Sequence, residues 1–133
     1  MIDPTKIIIR NDGGDGDMGS LAYAPDNTAH FHADGEAFAV VFIRLHFAGG
    51  SGTADVTINI DSNRQTQYDT LLYTLKARGV GADANFRILE EELVHWVFQA
   101  GDEMVFQWTN PSSGTMAWGA EVGLIRVSDI ATG

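Results

Sequence analysis

The segment from Leu93 to Val127 constrains this chain more than any other. Val94, Trp96 and Phe98 alternate along one stretch, and Met104, Phe106 and Trp108 alternate along the next. In extended chain, residues two apart project from the same face, so each stretch presents a row of large apolar side chains for burial. Gly101 and Asp102 lie between the two rows, where a tight turn would join them. The expectation is a β-hairpin with one buried face.

The same period recurs upstream. Three consecutive isoleucines in Thr5 to Arg10 read as a first strand, because β-branched side chains fit extended chain well. Asn11 to Ser20 is rich in Asp and Gly and reads as a loop, and Leu21 to Thr28 reads as irregular. Glu36 to Phe47 is the longest expected strand. Ala39, Val41, Ile43, Leu45 and Phe47 share one face; Phe38, Val40 and Phe42 share the other until Arg44 and His46 turn it polar. Thr53 to Asp61 alternates cleanly, with Val56, Ile58 and Ile60 inward. Thr70 to Arg78 reads as a strand, although its leucines also fit a short helix. Gly79 to Ala84 reads as a loop and Asn85 to Leu89 as a short strand, while Glu90 to Glu92 opens a helical turn or forms an exposed corner. Met116 to Ser128 closes the domain.

About eight strands with glycine-rich breaks and no amphipathic helix argue an all-β, two-sheet antiparallel sandwich. A jelly roll is the specific expectation. An immunoglobulin-type sandwich is the alternative, but the chain has no cysteine for the usual pair. Its 133 residues make one domain, 1–133, long enough to bury a core without staples.

Composition removes several functions. Without cysteine there is no disulfide scaffold, thiolate zinc site or thiol nucleophile. The formal charge is −10, and the eight basic residues form no stripe, so neither nucleic acid nor an anionic membrane is an expected partner. The N-terminus lacks a secretory pattern, and the longest apolar run, Ala37 to Ile43, is too short to cross a bilayer. Synthesis in the cytoplasm is the expectation.

Four groups could carry chemistry. His30 and His32 alternate, so both imidazoles could reach one metal, with Glu36 as a third ligand. These residues resemble the first part of the cupin motif. The chain departs from it with Ala24 and Ile43 where that motif carries glycines, and has no copy of the second cupin motif. The bland reading is a pair of surface histidines. Asp12, Asp15 and Asp17 among glycines resemble a calcium loop, yet no glutamate completes an EF-hand and nothing repeats; a solvated loop is the stronger reading. Trp96, Trp108 and Trp118, with Tyr23, Tyr68 and Tyr73, could stack on sugar rings. The apolar neighbours of Trp96 and Trp108 assign those two to the core, leaving Trp118 as the tryptophan expected to be exposed. Arg64, Tyr68, Lys76, Arg78 and Arg87 could gather into a small basic face, or stand as scattered solvated groups. No nucleophile elbow exists, and consecutive Glu90, Glu91 and Glu92 point apart rather than across a cleft. No catalytic, cofactor-binding or metal residue is assigned.

One resemblance carries further. Tyr68 to Tyr73, Phe86-Arg87-Ile88, Trp96-Val97-Phe98, Gly101-Asp102, Phe106 to Pro111 and Trp118-Gly119 together resemble the small jelly-roll proteins that decorate, or cement, the capsids of tailed bacteriophages. The turn at Gly101-Asp102 before an apolar strand also resembles the trimeric tumour-necrosis-factor fold. The resemblance implies a non-enzymatic protein on the virion's outer surface. It implies a homotrimer bound to the major capsid protein, with Met1 to Pro4 lying against the shell. A carbohydrate-binding or receptor-binding sandwich is the alternative, and a cupin-like metal-dependent enzyme the further one.

Overall fold

The computed structural model describes residues 2–17, 19–23, 37–61, 70–79, 81–99, 102–112 and 114–130, the side chains of 19–23, 90 and 94 excepted. Its described residues form nine strands: β1 (Ile8–Asp15), β2 (Gly19–Tyr23), β3 (Phe38–Ala48), β4 (Thr53–Asp61), β5 (Thr70–Gly79), β6 (Ala84–Arg87), β7 (Val97–Phe98), β8 (Glu103–Trp108) and β9 (Ala117–Arg126). One sheet has the order β1-β9-β3-β6, with the two-residue β7 also on β3; the other has the order β2-β8-β4-β5. Every pairing is antiparallel.

The topology is that of a long hairpin rolled onto itself. β1 pairs with β9, β2 with β8, β3 with β6 and β4 with β5, and successive pairs alternate between the two sheets. That is a jelly roll, as the sequence pattern leads one to expect. The core lies between the sheets. Ile43, Leu45, Phe47, Val56, Ile58, Phe106, Trp108 and Val122 are all buried there. Trp96 and Trp108 belong to it, and Trp108 satisfies its indole N–H by donating to the Arg78 carbonyl at 3.2 Å.

β3 behaves as its pattern predicts. Residues 38–41 are buried on both faces; thereafter Ile43, Leu45 and Phe47 stay buried while Arg44, His46 and Ala48 are exposed. β4 has the expected bounds, with Val56 and Ile58 fully buried.

Four expectations are corrected. The hairpin from Leu93 does not form. Glu90–Trp96 is a 3-10 helix, β7 pairs with β3, and β8 lies in the opposite sheet between β2 and β4. β7 and β8 therefore belong to different sheets. Phe98 stacks on Phe38 with centroids 4.9 Å apart and the rings nearly parallel, so the buried partner lies on β3 rather than across a turn.

The Asp/Gly stretch after Arg10, expected as a loop from Asn11 to Ser20, is strand as far as Asp15 and again from Gly19. β1 runs to Asp15 and keeps register with β9 as far as Asp15↔Ala117. Glycine serves a purpose there, because a Cβ at Gly14 would stand 3.1 Å from the ring of Trp118. β2 likewise occupies a stretch expected to be irregular.

Trp118, expected to be exposed, is buried at 8% accessibility. Its position on β9 opposite Phe47 and Gly14 turns the ring into the core.

Candidate functional site

The outer face of the β1-β9-β3-β6 sheet carries the most organised surface chemistry among the described residues. Register places Arg87, Phe42, Gly123 and Ile9 in one row across β6, β3, β9 and β1, and Asn85, Arg44, Glu121 and Asn11 in the next. Partners directly opposite in a ladder share a face, so these rows lie side by side. The Phe42 ring sits over Gly123, where a Cβ would overlap it. The Arg44 guanidinium sits 4.4 Å above the Phe42 centroid, a cation–π contact. Arg44 is held there by Glu121 at 2.8 Å and by the Asn85 side-chain oxygen at 3.3 Å. The Arg44–Glu121 pair is partly exposed, so its net worth to stability is about 0–1 kcal/mol; its value is in fixing the guanidinium.

A groove of about 660 Å³ opens beside this stack. Val41, Phe42, Phe86 and Ile88 line it from the sheet, while Ile2 and Ile7 line it from the N-terminal segment. That segment is shaped locally. Asp3 caps a short 3-10 turn, Pro4–Lys6, by accepting from the Thr5 N–H and hydroxyl, and Ile2 bridges Ile130. Ile2 and Ile7 are half-buried against the core, so this stretch lies against its own domain. Arg44, Arg87, Asn85 and Glu91 are the polar groups on the lining.

A second, shallower recess of about 390 Å³ lies further along the sheet. Here the His46 Nδ1 is 2.6 Å from the Asp83 carboxylate, whose other oxygen accepts the Phe47 N–H at 3.0 Å. With its proton on Nδ1, His46 donates to Asp83. Hydrogen bonding from His46 holds the Asp83 carboxyl below its ordinary value. The described lining of this recess holds no hydroxyl, thiol or amine that His46 could activate.

The other sequence candidates fall elsewhere. His30, His32 and Glu36 lie outside the described residues, as do Tyr68 and Arg64. Asp12 and Asp15 are exposed on β1, and Asp17 accepts the Asn110 N–H at 2.7 Å, so that carboxylate ties the end of β1 to the loop after β8. Among the described residues, no group of three His, Cys, Asp or Glu side chains could hold a metal ion. The described members of the basic cluster do not form a free patch. Lys76 pairs with Asp55 at 3.2 Å, Arg78 donates to the carbonyls of Ala82 and Asp83, and Arg87 lines the groove. Burial of Trp118 removes the tryptophan on which a sugar platform rested; Tyr73 remains half exposed against Phe86 and Trp96.

Sequence reasoning missed Phe42, Gly123 and the arginine above the ring. Phe42 reads as one more apolar residue of a strand, and only the register that sets Gly123 opposite it exposes the arrangement.

No protein-family model and no curated protein matches this chain. Among solved structures, it is similar to a chain of the structure titled for infectious bursal disease virus Gx strain, at 9% identity and a TM-score of 0.38, covering 92% of this chain and 32% of that one. The chain thus spans less than two thirds of the length of that structure's chain.

Proposed function

We propose that this chain is a non-enzymatic structural protein of a bacteriophage virion. In this reading it binds the outer surface of the capsid through the major capsid protein and reinforces it as a homotrimer. The step from jelly-roll architecture to a shell role is one of analogy, since a fold hosts many functions. The support specific to this chain is its surface. Leu71 is 57% exposed and Tyr73 50% exposed, and both stand on β5, an edge strand of its sheet among the described residues. Large apolar side chains on an edge strand are a liability for an isolated domain and an asset for one that docks. Repeated seating on a symmetric shell multiplies weak contacts into firm retention.

The test is co-sedimentation of the purified chain with capsids assembled from the major capsid protein, alongside light scattering of the chain alone. Saturable binding and a trimeric mass support the reading. A strict monomer that leaves capsids bare sinks it.

A further inference from the structure

We propose that the groove over Phe42 binds a small apolar anion: one hydrocarbon tail carrying a carboxylate or an equivalent single-charge head. This goes beyond the shell reading and does not depend on it. The floor is aromatic and aliphatic, made by Phe42, Val41, Phe86 and Ile88, and the N-terminal segment closes one side with Ile2 and Ile7. Those walls all belong to this chain, so the recess is formed without a partner. Its volume of about 660 Å³ falls in the range of small-ligand sites, which are mostly apolar with a few placed polar groups.

Charge selects the head group. The chain carries 18 acidic and 8 basic residues, yet among the described residues the groove lining carries two guanidiniums, Arg44 and Arg87, against one carboxylate, Glu91. Arg44 is committed to Glu121, Asn85 and the Phe42 ring. Arg87 stands across the ladder from Phe42, is exposed, and makes no ion pair among the described residues. A cation beside an apolar floor in an otherwise acidic protein attracts an anion whose tail the floor can bury. A polar or cationic ligand would lose either the floor or the guanidinium.

The test titrates the full-length chain with dodecanoate below its micellar concentration, and in parallel with dodecyltrimethylammonium, which presents the same tail with the opposite charge. Calorimetry reads affinity, and isoleucine methyl resonances read location. Dodecanoate is expected to bind one per chain, shifting Ile2, Ile7 and Ile88, with the ammonium compound at least about tenfold weaker. Arg87→Gln should weaken dodecanoate about tenfold and Arg87→Lys by much less, since the latter keeps the charge. Arg87 is exposed, so both variants should keep the wild-type thermal midpoint, and that is measured beside each titration. No saturable binding, equal binding of the two amphiphiles, shifts confined to other methyls, or an Arg87→Gln variant of unchanged affinity would each overturn the site. An acetylated peptide bearing one leucine and one glutamate that binds more tightly than dodecanoate would overturn the small-ligand assignment in favour of a partner chain.

Discussion

The ring of Phe42 occupies the space that a Cβ at Gly123 would fill, and the absence of a side chain at 123 is what lets it do so. The consequence is testable. In Gly123→Ala the new methyl would overlap the ring, so Phe42 must swing away and leave its stack with Arg44. Overpacking of this kind costs about 1–3 kcal/mol. Gly119 is the matched control on the same strand, because nothing stands within 4 Å of a Cβ built there. Gly119→Ala should be neutral or slightly stabilising, since alanine loses less backbone freedom on folding. Urea denaturation of the two variants decides the matter. Equal stabilities would mean that Phe42 has room to move freely and that the stack is not built into the fold.

Ala77 departs from the ordinary backbone of a strand, with φ of 53°. It sits beside an irregularity in the β4–β5 ladder, between Ala54 and Val56, and its N–H donates to the Asp55 carboxylate at 2.9 Å. The left-handed conformation costs an L-residue about 1–2 kcal/mol, and glycine escapes it at a smaller entropic loss. Ala77→Gly should therefore raise the thermal midpoint, by an amount corresponding to at most about 1 kcal/mol. Asp55→Ala should lower it, because the carboxylate holds the strained N–H. A destabilised Ala77→Gly would show that the bend carries no strain.

Where a single period dominated, the fold was legible from the residues. β4 runs from Thr53 to Asp61 as its alternation implies, because Val56 and Ile58 have one buried face and polar neighbours between them. The last third was misread because it holds two periods at once. Val94, Trp96 and Phe98 are spaced for a strand, but Leu93 and Trp96 are three apart, the repeat of a 3-10 helix, and both are buried. Glu90 to Glu92, read as opening a helical turn or as an exposed corner, do open that helix, and it continues through Leu93 to Trp96 where a strand was expected. The second half of β1, beyond Arg10, was hidden for a different reason. Gly13, Gly14 and Asp15 have poor intrinsic strand preference, and pairing with β9 overrides it. The groove was not legible at all, since its lining comes from the N-terminal segment, β3, β6 and the start of the 3-10 helix, which meet only after the sheet has formed.

Asp83 supplies a pH dependence whose direction is fixed. The His46 imidazole, with help from the Phe47 N–H, holds its carboxyl below the ordinary value of 3.8. A folded-state pKa below the unfolded one means that folding favours the ionised form. The contribution is complete above the ordinary carboxylate range, and it disappears as pH falls through 3.8 toward the lower folded value. Asp83→Asn should thus be less stable than wild type at about pH 6, with a smaller gap at about pH 3. The pair is well exposed, so the gap is small. Denaturation midpoints at the two pH values test it, and a gap of the same size at both would show that the loss in Asp83→Asn is steric and unconnected with ionisation.

Leu71 and Tyr73 offer the sharpest test of docking, because they separate contact from stability. Leu71 is the more exposed of the two and faces water in the isolated chain, so Leu71→Asp removes little buried surface and should leave the thermal midpoint within about 0.5 kcal/mol of wild type. Tyr73 packs one side of its ring against Phe86 and Trp96, with centroids 6.5 and 6.2 Å away, so Tyr73→Ser should cost more stability. If β5 is a contact edge, a charge at 71 is desolvated without a partner whenever the contact forms, and association should weaken at least about tenfold. Sedimentation with capsids and light scattering at matched concentrations measure both outcomes. A Leu71→Asp variant that folds like wild type and still associates like wild type would clear β5 of any role and move the search for the docking surface to another face.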